Sequence, residues 1–344
     1  MELINLTNMK KITLLLLVCL FTNCTKDTYE AFEPTYYDYY HLTEETTINA
    51  SKIGNGAGTF QPKSIAAANG KVYICNENAL EVFDTKTLTY IKTISSYTKG
   101  TTTIPFTKLT SVCVDNGRIY VGSYESQVFV IDEITNLGIN TVGNGKYWDS
   151  NFIHVLGLAV KEGLLFIKEK DNFIKVFEAS QITETSNWKL QPIAKLNTIK
   201  GYYQEYSMDV SSGSLVVAGQ GANSFLYYNI SDIRANAASS LVTPLMPTTR
   251  VSSKNEPYAI SFSTDWTITS ENIEDINYLR LYPKKQFLDM TFTPTINVID
   301  IMGRNPIERF MSVAQGGDFL FLSDYDGKKI RVLKINKIKI SEQK

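Results

Sequence analysis

Short apolar runs alternate with polar turns along most of this chain. Residues 71–94 read KVYICNENALEVFDTKTLTYIKTI, which is three apolar runs separated by polar turns. Runs of this length, rich in Val, Ile, Tyr and Phe and bounded by turn residues, are typical of β-strands. A strand, a tight turn and a second strand are predicted at six places: SIAAANGKVYIC, SVCVDNGRIYVG, GLAVKEGLLFIK, SMDVSSGSLVVA, AISFSTDWTITS and SVAQGGDFLFLS.

The predicted turns recur at a nearly constant spacing. Asn-Gly, at the first two turns, is the strongest short hairpin signal, because both residues tolerate the positive φ that a two-residue turn requires. A third apolar run follows each hairpin, and a looser fourth run often comes after it. The turn markers are Gly70, Gly117, Gly163, Gly213, Asp265 and Gly317, which lie 47, 46, 50, 52 and 52 residues apart.

Four strands per repeat and six repeats predict an all-β fold, a β-propeller with six four-stranded antiparallel blades. A seven-bladed ring and an all-β sandwich are the alternatives. The fifth repeat is irregular, because its third run, INVID, comes late. Residues 271–294 are therefore either an insertion or strands of their own. The last blade is completed by the tail VLKINKIKI or by residues 37–48.

Composition agrees with a large β-rich core, since 43% of the residues are hydrophobic and 12% are aromatic. The 34 basic and 35 acidic residues leave a formal charge of -1, so no nucleic-acid partner is expected. Cys75 and Cys113 lie in neighbouring repeats and are interpreted either as buried free thiols or as one disulfide.

The N-terminus has the pattern of a secretory signal peptide. Lys10 and Lys11 precede an apolar run, residues 12–21, that is too short to span a bilayer. Met9 opens the sequence MKK and is an alternative start. The predicted divisions are a signal peptide at 1–23, a lipidated tether with room for one added strand at 24–57, and the propeller at 58–340.

The stretch LFTNC, which ends at Cys24, resembles the lipobox of bacterial lipoproteins. The resemblance implies that Cys24 carries diacylglycerol and anchors the chain in the outer membrane, on the cell surface or on the periplasmic face. Ordinary cleavage with free secretion is the alternative.

Two repeat families resemble the body of the chain. VYICNENALEVFDTKTLTYIKTI is similar to the YVTN-type propeller repeat, and RIYVGSYESQVFVIDEITN and INVIDIMGRNPIERF are similar to the LVIVD repeat of bacterial surface proteins. The resemblance spans roughly residues 61–336 and implies a propeller of the surface-lipoprotein kind, because these motifs encode packing. Related propellers include ligand-capturing components of nutrient uptake.

In a propeller, the loops between blades and the loops between second and third strands emerge on one face, where function usually lies. Tyrosines with sparse charges on such loops suit a sugar or a planar ligand, whereas the alternative is that these residues only solvate the loops. Residues 277–285 are a candidate lid or an extra hairpin. The candidate ligand-binding residues are Lys63, Tyr124, His154, Tyr206, Gln220, Tyr258, Arg309 and Tyr325.

Candidate catalytic chemistry is sparse. With only two histidines, His41 and His154, a multi-histidine metal site is not expected, and no cofactor is predicted. A carboxylate pair, Glu77 with Glu125 or Glu205, keeps a glycosidase or lyase as one alternative function. The predicted function is an envelope-anchored lipoprotein that binds a small molecule, a glycan or an envelope partner without catalysis. A structural scaffold of an envelope complex is the second alternative.

Overall fold

The chain folds into a ring of small antiparallel sheets. A compact unit, residues 40–337, contains the ring, and a second unit comprises residues 1–39 and 338–344, of which 36–39 and 338–341 are described as strand. The computed structural model describes residues 36–54, 59–146, 152–171, 173–198, 207–219, 223–237, 244–253, 256–273, 276–290 and 310–341.

Six sheets follow one another along the chain and form a six-bladed β-propeller, which confirms the predicted fold. The first sheet contains β2 (Pro62–Ala68), β3 (Lys71–Asn76), β4 (Ala79–Asp84) and β5 (Tyr90–Ile94). A two-stranded ribbon of β6 (Ser96–Lys99) and β7 (Thr102–Pro105) leads to the second sheet, β8 (Leu109–Asp115), β9 (Arg118–Ser123), β10 (Gln127–Asp132) and β11 (Gly138–Val142). The third sheet contains β12 (Val155–Lys161), β13 (Leu164–Glu169), β14 (Phe173–Glu178) and β15 (Ala194–Asn197), with a 3-10 helix at Ala179–Gln181.

The remaining sheets are less regular. The fourth contains β16 (Met208–Ser211), β17 (Ser214–Gly219), β18 (Ser224–Asn229) and β19 (Thr249–Ser252), with helix α1 (Ile230–Ala237) after β18. The fifth contains β20 (Glu256–Phe262), β21 (Trp266–Ile273) and β22 (Ile276–Pro283), followed by helix α2 (Lys284–Leu288). The sixth contains β23 (Phe310–Gly316), β24 (Phe319–Asp324), β25 (Lys329–Ser341) and, outermost, β1 (Tyr36–Asn49), which a 3-10 helix at Ala50–Lys52 follows.

The Gly-marked hairpins form as predicted. Asn69 and Gly70 have φ of 51° and 74°, and Asn116 and Gly117 have φ of 49° and 71°. Consecutive positive φ values define the primed turn whose twist matches that of the flanking strands. The fifth hairpin, whose marker is Asp265, instead uses three residues between β20 and β21.

Residues 277–285 are neither a lid nor an extra hairpin. They belong mainly to β22, the third strand of the fifth sheet, which pairs with β21 along its full length. Of the two alternatives for residues 271–294, the one in which they supply strands is therefore confirmed in β21 and β22, and the expectation that INVID supplies this third strand is wrong. INVID itself lies outside the described residues.

Neighbouring sheets pack face to face through apolar side chains. Ile174 and Val176 of the third sheet meet Leu215 and Val217 of the fourth in one buried cluster. Both faces of each sheet are covered in this way, which explains why the second and third strands are almost entirely buried.

Serine hydroxyls also join the innermost strands of neighbouring blades. Four serines occupy the same position near the start of the innermost strand, and each accepts a hydrogen bond from a backbone N–H of the next blade. The pairs are Ser64 with Val112 (3.2 Å), Ser111 with Leu158 (2.9 Å), Ser207 with Ile260 (3.0 Å) and Ser312 with Ile65 (3.1 Å). The last pair connects the sixth blade to the first and so closes the ring.

Candidate functional site

A central channel of about 680 Å³ passes between the innermost strands of all six blades. We call its two ends the upper mouth, where these strands begin, and the lower mouth, where they end. Lys63, Thr110, Leu156 and Met311 lie at the upper mouth. The volume is within the range typical of small-molecule sites, roughly 300 to 1,000 Å³.

β-bulges shape the upper mouth. The pairing register of the innermost strand shifts between Pro62 and Ser64, between Leu109 and Ser111, and between Val155 and Gly157. The extra residues are Lys63, Thr110 and Leu156, and all three line the channel. A bulge leaves one residue outside the ladder and redirects its side chain, so this feature places equivalent residues of successive blades at the channel.

Lys63 is the candidate that lies most clearly in the channel. It is half-buried and, among the residues that the structure describes, has no hydrogen-bond or ion-pair partner for its ammonium. Lys63, predicted as a ligand-binding residue, thus lies in the channel lining.

Tyr124 and His154 come together on the upper face. Their rings stack with centroids 4.1 Å apart and an interplanar angle of 6°. The His154 Nδ1 lies 2.5 Å from the carbonyl oxygen of Tyr124, and the His154 N–H donates to the buried hydroxyl of Ser126 at 3.0 Å. These bonds fix the left-handed backbone of His154, with φ of 39°. The result is a rigid aromatic platform beside, and not part of, the channel lining.

The remaining candidates are either described outside the channel lining or lie outside the described residues. Tyr258, the extra residue of the bulge in β20, donates its hydroxyl to Glu256 at 3.2 Å, and Tyr325 is half-buried in the turn after β24. Neither lines the channel. Tyr206, Gln220, Arg309 and Cys24 lie outside the described residues.

Several polar residues of the upper loops are structural. Asn76 and Glu169 end the second strands of their sheets, Glu271 lies two residues before the end of β21, and all three are buried. Asn76 accepts from the Gln61 N–H at 2.9 Å, and Glu169 accepts from the Ile153 N–H at 3.0 Å, so each ties the entry of its own blade to the second strand. Asn76 is thus part of the scaffold.

Lys168 is a buried lysine in the third blade. Its side chain is only 1% exposed, and its ammonium donates to the carbonyl oxygens of Glu169 at 2.9 Å and Asp171 at 2.5 Å. Burial lowers the pKa of Lys168 to about 8, against the opposing charges of Glu169 and Asp171. These two hydrogen bonds stabilise the loop between β13 and β14, and the Lys168 ammonium has no access to solvent.

Asp209 is a channel residue that sequence reasoning missed. Its carboxylate accepts hydrogen bonds from the backbone N–H groups of Val210 and Phe262, both at 2.7 Å. Burial raises the pKa of Asp209 to about 6, and these two hydrogen bonds and the lysines Lys161 and Lys284 limit the rise. A lone Asp in a short apolar run gave no signal of this position.

Cys75 and Cys113 are free thiols, so the predicted alternative of a disulfide between them is wrong. Burial raises the pKa of Cys75 to about 12. Cys113 lines the channel, and burial raises the pKa of its thiol well above the usual value, with a further contribution from the charge of Asp209. Neither thiol is therefore activated as a nucleophile at neutral pH.

Metal ligands do not cluster in the described part of the chain, where no three His, Cys, Asp or Glu side chains come together. The carboxylate pair considered above is not assembled at the channel: Glu125 pairs with Lys108 at 3.0 Å, and neither Glu77 nor Glu125 lines it. Glu205 lies outside the described residues. Among the helices described, none has the length and apolarity needed to cross a membrane.

Comparisons with known proteins bear on the fold alone. No protein-family model matches the chain, and no curated protein matches it. A chain in a solved structure titled "Crystal Structure of Mitotic Checkpoint Complex" is similar, with a TM-score of 0.54 and 12% identity. The similarity covers 86% of this chain and 93% of that one. At this identity the likeness supports the propeller architecture and carries no function.

Proposed function

We propose that this protein is a lipid-anchored binding protein of the bacterial envelope whose propeller captures a small molecule, a glycan or an envelope partner without covalent chemistry. The observation that carries the proposal is the channel of about 680 Å³, which all six blades line and which has at its upper mouth the ammonium of Lys63, without a partner in the described part of the chain. A rigid scaffold with preformed polar groups at a concave opening is the usual form of a ligand site.

The chemistry of the lining favours binding over glycoside cleavage. Glycosidases of the common type use two carboxyl groups about 5 to 10 Å apart. Within the described lining Asp209 is the sole carboxylate, and both of its oxygens accept backbone hydrogen bonds.

The Tyr124–His154 platform supports capture on the upper face. Stacked rings offer a flat apolar surface with polar edges, which suits a sugar or a planar group. The His154 ring is held by the carbonyl oxygen of Tyr124, and the Tyr124 ring stacks on it, so binding there would cost little side-chain entropy.

The anchor rests on the sequence pattern at Cys24. Eleven residues lie between Cys24 and Tyr36, the first residue of β1. A chain of that length reaches at most about 40 Å, which would keep the propeller close to the membrane surface.

A thermal-shift screen of the full-length protein in detergent tests the binding proposal. The probes are neutral glycans, corrinoids, haems and common metabolites, because a ligand that binds only the folded state raises the melting temperature. We expect a saturable shift that Lys63→Met or Tyr124→Ala reduces and that Lys86→Met, an exposed lysine away from the channel, leaves unchanged. A shift that neither site variant reduces would contradict the proposed site.

The anchor has its own test. In a bacterial host fed radiolabelled palmitate, the wild-type chain should take up label and sediment with outer membranes, whereas Cys24→Ser should do neither. Cys19→Ser serves as the control because Cys19 lies within the predicted signal peptide. Equal labelling of wild type and Cys24→Ser would overturn the anchor.

A further inference from the structure

Unpaired charges of opposite sign line the lower half of the channel. Asp209 and Lys284 both line it and are both half-buried. Among the described residues neither has an ion-pair partner within 4.0 Å, whereas the neighbouring Lys161 pairs with Asp115 at 3.5 Å. Charges in a partly desolvated site normally have partners, so an unmatched pair facing a cavity is a candidate ligand site.

Backbone hydrogen bonds hold the two charges apart. Asp209 accepts from the N–H of Phe262 at 2.7 Å, and the Lys284 Nζ donates to the carbonyl oxygen of Ser263 at 2.8 Å. Phe262 and Ser263 are consecutive residues at the end of β20. The Asp209 carboxylate and the Lys284 ammonium are therefore hydrogen-bonded to adjacent residues of one turn. These hydrogen bonds hold the two side chains in place, so that they do not form an ion pair with each other.

We propose that this part of the channel binds a small zwitterion, such as an α-amino acid or a short peptide, with the ligand ammonium on Asp209 and the ligand carboxylate on Lys284. The proposal rests on the binding function proposed above and names a ligand class for the same channel.

The surroundings suit such a ligand. Lys161 adds a second cation close enough to Asp209 to affect its charge, which favours a ligand with at least one acidic group. Phe262, which lines the channel and is half-buried, supplies apolar surface for the remainder of the molecule. Because the channel wall excludes part of the solvent, each charged hydrogen bond is stronger there than at an exposed surface.

The first test compares matched ligands on the full-length wild-type protein by isothermal titration calorimetry. The probes are leucine, glutamate and dileucine, each beside an amine that lacks the carboxylate and an acid that lacks the amine. We expect at least one zwitterion to bind at least tenfold more tightly than both of its single-charge analogues. If none of the three zwitterions binds, or none exceeds both of its analogues by this margin, the inference is overturned.

The second test uses variants. Asp209→Asn should remove the preference for the amine-bearing ligand, and Lys284→Met should remove the preference for the acid-bearing one. The controls are Asp318→Asn and Lys86→Met, whose side chains are exposed and outside the channel lining. Site variants that leave both preferences intact would contradict the assignment of the two charges.

A pH titration of the wild type keeps the assignment testable even where a variant fails to fold. The groups that face Asp209 are Cys113, Lys161 and Lys284, and burial places the pKa of Asp209 at about 6. The ligand ammonium needs the ionised carboxylate, so affinity should fall about tenfold between pH 7 and pH 5. A flat profile over this range would count against Asp209 as the ammonium partner.

The outcome for zwitterions is separable from the outcome for the proposed function. If a glycan or another neutral probe gives a shift that depends on Lys63 or Tyr124 while zwitterions fail, the zwitterion inference is wrong and capture by the propeller stands. If no probe of any class binds, both fail.

Discussion

At the residue scale, one aspartate explains why the repeat motif has its form. Asp84 ends β4 and accepts hydrogen bonds from the Lys86 N–H, the Thr87 N–H and the Thr87 hydroxyl at 2.9, 2.7 and 3.0 Å. Asp132 ends β10 and accepts the equivalent three bonds from Ile134 and Thr135. An Asp side chain that hydrogen-bonds the backbone two residues on favours a turn. The segments VFDTKT and VIDEIT are therefore explained by the turns that they form, and they do not indicate a ligand.

Replacing Asp84 with alanine should lower the melting temperature at pH 7. The hydrogen bonds from Thr87 and Lys86 hold the pKa of Asp84 below its usual value. The stabilisation is thus present above the unfolded pKa of about 4 and disappears as pH falls through the folded pKa. Thermal melts should show a deficit at pH 7 that shrinks towards pH 3, whereas Lys86→Ala, which keeps its backbone N–H, should match the wild type.

Asp209 should produce the opposite pH dependence. Its folded pKa, about 6, lies above the unfolded value, so the native state binds this proton more tightly. Its contribution to the free energy of unfolding therefore decreases as pH rises from about 4 to about 6. In the absence of ligand, Asp209→Asn should lose this part of the pH dependence, as measured by denaturant titration at several pH values. An unchanged slope in that variant would show that Asp209 has an ordinary pKa.

At the element scale, the sequence predicted hairpins and blades well wherever a local signal existed. The turns at Gly70, Gly117, Gly163 and Gly213 all adopt the expected positive φ, because glycine is the residue that tolerates it. The fifth blade was misjudged, since its hairpin lacks glycine and its third strand, INYLRLYP, lacks the acidic residue that ends β4, β10 and β14.

The serine bonds between blades could not be predicted, because each partner is contributed by a different repeat. Ser111 is buried and accepts from the Leu158 N–H. Gly157 and Ala259 occupy the equivalent positions in the third and fifth blades, so the ring of serines is incomplete and gave no repeat signal.

Ser111→Ala should reduce the free energy of unfolding by about 1 to 3 kcal/mol, the usual cost of leaving a buried N–H without an acceptor. The control is Ser211→Ala, because Ser211 lines the same channel but its hydroxyl has no hydrogen bond among the described residues. That control should change stability by less than about 0.5 kcal/mol. Urea denaturation followed by fluorescence measures both, and equal losses in the two variants would contradict a specific role for the inter-blade bond.

At the scale of the whole molecule, closure joins the two ends of the ring. The sequence offered two candidates for completing the last blade, and the structure selects residues 37–48, which lie in β1, the outermost strand, whereas the tail VLKINKIKI belongs to β25, the third strand. Arg331 of β25 donates to the Glu44 carboxylate of β1, and Ile48 of β1 is fully buried against a cluster that includes Phe60 and Phe321. Pairing between strands that lie so far apart in the sequence has no local signature. The sequence therefore could not decide which segment completes the last blade.

Ile48→Ala should cost about 2 to 5 kcal/mol of stability, as is usual for removing a large aliphatic side chain from a core. The control is Glu45→Ala, because Glu45 lies on the same strand and is exposed. If β1 is essential to closure, limited proteolysis should also cut the last blade faster in Ile48→Ala. Wild-type stability and proteolysis in this variant would show that the outer strand is dispensable.

The pairing of β1 with β25 also sets the order in which the molecule can be made. β1 leaves the ribosome before every other described strand, yet its partner is the last strand to emerge. The sixth sheet therefore stays incomplete until β25 has been made, and contacts of such large sequence separation form slowly. β1 consequently remains without its partner while every other described strand is synthesised.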